Sequence, residues 1–141
     1  MGVFNGMNVS SSGLTAQRVR MDLISNNIAN VNTTRTEDGG PYRRQVPVFA
    51  TRLQDELDKF NNNSQTGEGV KITKIAESDE PARLEYRPEH PDANQDGYVE
   101  KPNVNIVSEM TDMISATRAY EANVTALDSA KSMFESALRI G

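Results

Sequence analysis

The group of potential ligands with a recognisable spacing is Asp92, Asn94 and Asp96, followed by Gly97. Their spacing matches the opening of an EF-hand loop, D-x-N-x-D-G, in which oxygens at loop positions 1, 3, 5, 7 and 9 surround calcium and a bidentate Glu closes the shell at position 12. Position 12 here is Asn103, and Pro88 and Pro91 stand where a helix should lead into the loop. Asp and Asn side chains in such runs bond their own backbone, so the pattern predicts an Asx turn ahead of a strand over residues 97–100, with no metal. A calcium-regulated binding module would rest on this loop alone. His90, the single His, lies between Glu89 and Pro91. A catalytic His needs a positioned partner and a pocket, and the sequence supplies neither, so His90 reads as a surface or packing residue. Arg35, Arg43 and Arg44 form a short basic cluster with Glu37 and Asp38 nearby. In an acidic protein, its expected use is to pair with an acidic neighbouring chain. Gly39-Gly40-Pro41 lacks the Gly-Lys-Ser/Thr continuation and the helix of a phosphate loop. None of these groups predicts catalysis, a cofactor or a small-molecule substrate.

The elements that must position these residues divide the chain into three. All six Pro fall between residues 41 and 102, and none lies before or after. Pro removes a backbone donor and clashes with the preceding helical turn, so both ends are free to be helical and the middle is not. In the N-terminal end, Leu14, Gln17, Met21, Ile24, Ile28 and Val31 recur at alternating spacings of three and four, with Met7 and Ser10 continuing the register backwards. This is a heptad seam with one polar break at Gln17. Ser10, Ser11 and Ser12 offer N-caps, although a start near Phe4 also fits. The helix is expected to end near residues 30–32, because Asn26, Asn27, Asn30 and Asn32 are poor helix formers.

At the other end, Ile106, Met110, Met113, Thr117, Tyr120, Val124, Leu127, Lys131, Phe134 and Leu138 keep the same alternation throughout. Asn103 or Asn105 would cap this helix, which should run about 35 residues, roughly 50 Å at 1.5 Å per residue. A helix that long with one apolar seam calls for partner helices rather than a compact core. The middle reads as loops and short strands: residues 42–50, limited to an edge by Pro47; residues 69–76; and residues 83–86. Residues 61–69 read as a turn or flexible loop. The predicted class is therefore mainly α. An N-terminal helix over residues 1–32 and a C-terminal helix over residues 103–141 pack as an antiparallel coiled-coil-like pair and form one core domain. A small β-rich lobe over residues 33–102 lies between them.

The chain has 141 residues, 15 Lys and Arg against 20 Asp and Glu, and no Cys. A net charge of -5 argues against a nucleic-acid binder. The missing Cys excludes disulfide scaffolds, Cys-based zinc sites and thiol catalysis. Residues 1–8 lack the basic-then-apolar pattern of a cleaved secretory signal. By that criterion alone the chain would be cytoplasmic, unless a dedicated machine exports it uncleaved. A soluble cytosolic adaptor that binds other helices through the same seam is the competing reading.

The order of motifs adds a resemblance. Ser25-Asn26-Asn27-Ile28-Ala29-Asn30-Val31-Asn32-Thr33 resembles the N-terminal signature of bacterial flagellar rod and hook axial proteins. That motif alone points only to the broad family. Further blocks resemble its proximal-rod branch: Thr34-Arg35-Thr36, Gly39-Gly40-Pro41-Tyr42-Arg43-Arg44-Gln45, His90-Pro91-Asp92-Ala93, Gly97-Tyr98-Val99 and Pro102-Asn103-Val104-Asn105. Glu109-Met110-Thr111-Asp112-Met113-Ile114 and Arg118-Ala119-Tyr120-Glu121-Ala122-Asn123 complete the set. The resemblance implies a non-enzymatic subunit of the rod in the flagellar basal body. Such a subunit crosses the periplasm and is exported without cleavage by the flagellar type III apparatus. Its partners would be other rod subunits and copies of itself. On that reading Leu14, Met21, Ile24, Ile28, Ile106, Met110, Met113, Tyr120, Val124, Leu127, Phe134 and Leu138 form the subunit interface. Asn26, Asn27, Ala29, Asn30, Asn32 and Thr33 carry the family motif. With seams that bury little alone, the isolated chain is expected to be less ordered at both ends than in its middle.

Overall fold

The computed structural model describes residues 3–52 and 69–140. Two long helices enclose two short antiparallel hairpins in sequence order: α1 (Val3–Ala29), β1 (Gln45–Thr51), β2 (Val70–Glu77), β3 (Arg83–Tyr86), β4 (Tyr98–Lys101) and α2 (Ile106–Ile140). β1 pairs with β2, and β3 with β4, each as a two-stranded sheet. The loop expected at residues 61–68 lies outside the described residues.

α1 starts before the serines proposed to cap it. Ser12 sits inside the helix, where its hydroxyl donates to the Val9 carbonyl at 2.7 Å and accepts from the Val70 amide at 3.1 Å. It therefore fastens the start of β2 to α1 rather than opening the helix. At the other end the Asn-rich motif unwinds the chain as expected. The Asn30 amide group donates to the Asn26 carbonyl at 3.0 Å, and the Thr33 hydroxyl donates to the Asn30 side-chain oxygen at 3.1 Å. Gly39 and Gly40, with φ of 81° and 86°, supply the left-handed turn that returns the chain toward β1.

α2 runs 35 residues without interruption. Of the two candidate caps, Asn105 is used: its side-chain oxygen accepts from the Val107 and Ser108 amides at 3.0 and 3.4 Å. Asn103 instead donates to the Ser78 hydroxyl and the Glu80 carbonyl, both at 3.2 Å.

The two helices touch along their length. Phe4 meets Phe134 edge-to-face at 5.3 Å, the Thr117 hydroxyl approaches the Met21 sulfur at 3.7 Å, and Asn27 donates to Glu109. Residue numbers thus rise along one helix as they fall along the other. At Gly13 the helices come so close that a Cβ would lie 2.9 Å from the Asn123 side chain.

Small buried clusters form between α1 and α2, with the β1–β2 hairpin packed along α1, and at β4 with the segment that leads into α2. Ala16, Leu23, Ile24, Val99, Val104 and Ala116 are buried there. Of the segment between the helices, the β1–β2 hairpin folds back onto α1.

Pro47 lies in β1 opposite Ile75, tolerated because each sheet has only two strands. The Asx turn joins β3 to β4: the Asn94 side-chain oxygen accepts from the Asp96 and Tyr98 amides at 3.0 and 2.9 Å. Gly97, at φ 81° and with a Cβ position 2.9 Å from the Tyr86 ring, completes it.

Candidate assembly surface

α2 presents two columns of side chains to two different surroundings. Glu109, Met113, Ala116, Tyr120, Asn123, Leu127, Ala130 and Phe134 follow one another at alternating spacings of four and three. All are buried or half-buried. This column faces α1, where Leu14, Met21 and Ile28 are half-buried and Ile24 is buried. The remaining sequence-predicted seam residues, Ile106, Met110, Val124 and Leu138, lie on the next face around the helix and are exposed, Met110 by 56% and Leu138 by 65%. Val107 and Ile114 widen the exposed face near the start of α2. A helix drifts about 20° per heptad against a strict repeat, so a hydropathy seam alone does not separate these adjacent faces.

A polar node at the base of the helix pair fixes how α1, α2 and β1 meet. Asn27 is 1% exposed and Glu109 is 0% exposed. The Asn27 side-chain amide exchanges both hydrogen bonds with the backbone of Gln45, donating to its carbonyl and accepting from its amide, each at 2.9 Å. It also accepts from the Tyr42 hydroxyl at 2.9 Å and donates to Glu109 Oε2 at 3.1 Å. Arg44 Nε donates to Glu109 Oε1 at 2.5 Å, and its Nη2 reaches Asp112 Oδ2 at 3.5 Å. Arg20 adds a 3.0 Å ion pair to Asp112 Oδ1. A buried carboxylate persists only when paired and hydrogen-bonded, and Glu109 has both. Arg44 therefore pairs within its own chain, which corrects for this residue the expectation that the cluster serves an acidic neighbour; Arg35 and Arg43 are exposed. Burial first, and then the nearby Glu109 and Glu77 carboxylates, push the Tyr42 hydroxyl above its ordinary value of 10.0.

The sequence marks Asn27 as a poor helix former and a family-motif residue, and Glu109 only as part of a family block, without pairing the two. Asn27 lies four residues after Leu23 and three after Ile24, on the buried face, and that spacing was the available signal. The other motif residues divide by role. Asn30 and Thr33 close the turn, while Asn26, Ala29 and Asn32 are exposed. In the loop before β4, Asp92 Oδ2 accepts from the Thr34 hydroxyl at 2.8 Å, and His90 Nδ1 accepts from the Asp92 amide at 3.1 Å. Among the described residues no three His, Asp or Glu side chains converge as metal ligands.

Comparison with known proteins assigns this arrangement. Residues 7–35 match the family model described as flagella basal body rod protein, and residues 95–140 match the C-terminal model of flagellar basal body rod FlgEFG proteins. The flagellar basal-body rod protein FlgC of Borreliella burgdorferi is 54% identical, the alignment covering 99% of this chain and 98% of that protein. The chain belongs to the FlgC family of flagellar basal-body rod proteins. The FlgC protein of Bacillus subtilis is 48% identical over 100% of this chain and 99% of its own length, and that of Escherichia coli O6:H1 is 38% identical over the same shares. The two matched segments hold α1 with its Asn-rich turn, and β4 with α2. They therefore include Asn27, Glu109 and both columns of α2 in this member of the FlgC family.

Proposed function

We propose that this chain is a non-catalytic structural subunit of the flagellar rod and that α2 is its main assembly element. The two terminal helices act as one antiparallel coiled-coil-like core domain, with residues 33–102 as a lobe braced against its base. The inner column of α2 closes the pair within the subunit. The exposed outer residues Ile106, Met110, Val124 and Leu138 are left for helices of other rod subunits and of further copies. Met113, Tyr120, Leu127 and Phe134, half-buried at the boundary, serve both faces. Contacts of this kind are heterologous and need not close, which suits a shaft. The polar node ties the lobe to the helices, so that torque on one is carried to the other. Export through the flagellar type III apparatus belongs to this reading, and a chain without Cys suits an oxidising compartment.

The observation that carries this reading is the row of large apolar side chains left exposed along α2 beside an inner face already closed. Its test is Met110→Glu and Val124→Glu in a strain lacking the wild-type gene. Both positions are exposed, so the monomer should keep its helical circular dichroism, whereas a carboxylate in an apolar intersubunit contact costs several kcal/mol. Such cells should not swim, and the variants should be missing from isolated basal bodies. Normal swimming with both variants incorporated would overturn the assignment of the face.

A further inference from the structure

The outer face of α1 carries a regular stripe that the described residues leave exposed. Thr15, Arg18, Asp22, Ser25 and Ala29 are spaced three, four, three and four, and all are exposed. The outer stripe of α2 through Val124, Asp128, Lys131, Glu135 and Leu138 has the spacing four, three, four and three, and all five are exposed. Laid antiparallel, the two stripes match position for position, with Leu138 on Thr15 and Val124 on Ala29. The charges then oppose in order: Glu135 faces Arg18 and Lys131 faces Asp22. Among the described residues, Lys131 and Glu135 make an exposed 4.0 Å contact with each other, too weak to hold either head in place.

We propose that a second copy of this chain docks α1 onto the outer face of α2 in this register, which deepens the rod-subunit reading and rests on it. Copies that share one direction place α1 of one antiparallel to α2 of the next, the same sense as within the subunit. The small side chains on α1 let the backbones approach, and Leu138 and Val124 supply apolar contact. The register is staggered. Within one subunit Gly13 faces Asn123, so Thr15 lies about 17 residues, or about 26 Å, from Leu138 along the axis. A staggered heterologous contact of this kind continues from copy to copy rather than ending at a dimer. Five side chains on each helix make a small contact, so dilute subunits remain monomeric and the contact forms in the assembly.

The absence of native Cys makes the register directly readable. Thr15→Cys with Leu138→Cys in one chain should give covalent dimers and higher multimers when basal bodies from motile cells are oxidised. The stagger excludes a bond within a subunit, since bridged Cα atoms lie no more than about 7 Å apart. Asn8→Cys with Leu138→Cys, shifted by two helical turns, should give none. Equal cross-linking by both pairs, or none by the first in motile cells, would overturn the register. If the Cys variants do not assemble, charge exchange decides. Asp22→Lys alone and Lys131→Asp alone should each weaken association about two- to five-fold, the worth of an exposed ion pair, and the double variant should recover it. A double variant as impaired as the two losses combined would sink the pairing. Absence of the wild-type chain from basal bodies would instead sink the rod reading itself, whereas its presence without cross-links sinks only this contact.

Discussion

All four hydrogen-bonding positions of the Asn27 amide are occupied by groups from three other segments, and three of those bonds are 2.9 Å long. That makes the residue intolerant of the smallest change. Asn27→Asp keeps the shape, loses the donor to Gln45 and Glu109, and sets a carboxylate against the buried Glu109 carboxylate. Leaving buried polar groups unpaired costs about 1–3 kcal/mol each, more for charged ones, so a loss of about 3 kcal/mol or more in urea unfolding is expected. Arg44→Ala leaves Glu109 buried without its cation. It should cost a similar amount, about 3 kcal/mol by the precedent of broken buried pairs. Tyr42 adds a pH signature. Its folded pKa is raised, so its contribution to stability is fully present below the ordinary value of 10.0 and is lost as pH rises through the folded value. Tyr42→Phe should therefore remove part of the alkaline loss of stability while leaving neutral-pH stability lower by the one hydrogen bond to Asn27. A melting series from pH 7 to 11 on both proteins would show it, and an unchanged alkaline slope would refute the assignment. On the acid side Glu85 is held below its ordinary 4.5, first by Lys101 and then by Arg87. Its contribution is lost only as pH falls below that range.

At the scale of elements, the tightest point of the helix pair is Gly13 against Asn123. Gly inside a helix costs about 0.5–1 kcal/mol relative to Ala, so Gly13→Ala gains propensity and loses clearance. Alone it should be neutral or destabilising. In an Asn123→Ala background, where the clash is gone, it should stabilise by about 0.5–1 kcal/mol. A thermal-denaturation cycle over the four proteins measures the coupling, and additive effects would mean that the helices do not meet there. The elements themselves were largely legible. Pro-free ends, heptad spacing and a capping Asn predicted α2 almost to the residue, and alternation predicted each strand to within a few positions. The face of α2 was legible only in part. Hydropathy marks Met110, Val124 and Leu138, which are exposed, and marks Ala116 and Ala130 only as neighbours of the seam, but not Glu109 and Asn123, which are buried and half-buried. Small residues allow close approach, and a buried acid paired by Arg44 scores as surface. The node was hidden for the same reason: its members lie on α1, β1 and α2, and only the tertiary fold brings them together.

The whole molecule is unevenly held. Burial is concentrated from Ala16 to Asn27 on α1 and from Glu109 to Ala116 on α2, with Val99 and Val104 between them. Beyond Ala116 none of the described residues of α2 is buried, although the helix continues for 24 residues to Ile140. Helical segments without tertiary cover are marginal because nucleation is unfavourable, so their stability comes from packing. The sequence suggested that both ends would be less ordered than the middle when alone. The fold divides each end instead, into a near half clamped by the node and a far half in which no described residue is buried; on α1 that half meets α2 and, at Ser12, the start of β2. Local opening follows buried contacts. In dilute solution, amide exchange should therefore be slow over residues 16–29, β4 and residues 106–116, and fast over residues 3–13 and 120–140. On the proposed assembly a basal body covers the outer face of α2, so the far halves should become protected while the near halves change little. Hydrogen exchange read by mass spectrometry on the free subunit and on isolated basal bodies makes the comparison. Uniform protection of α2 in the free subunit would mean that the inner column alone holds the helix, and that the exposed apolar row contributes nothing to its order.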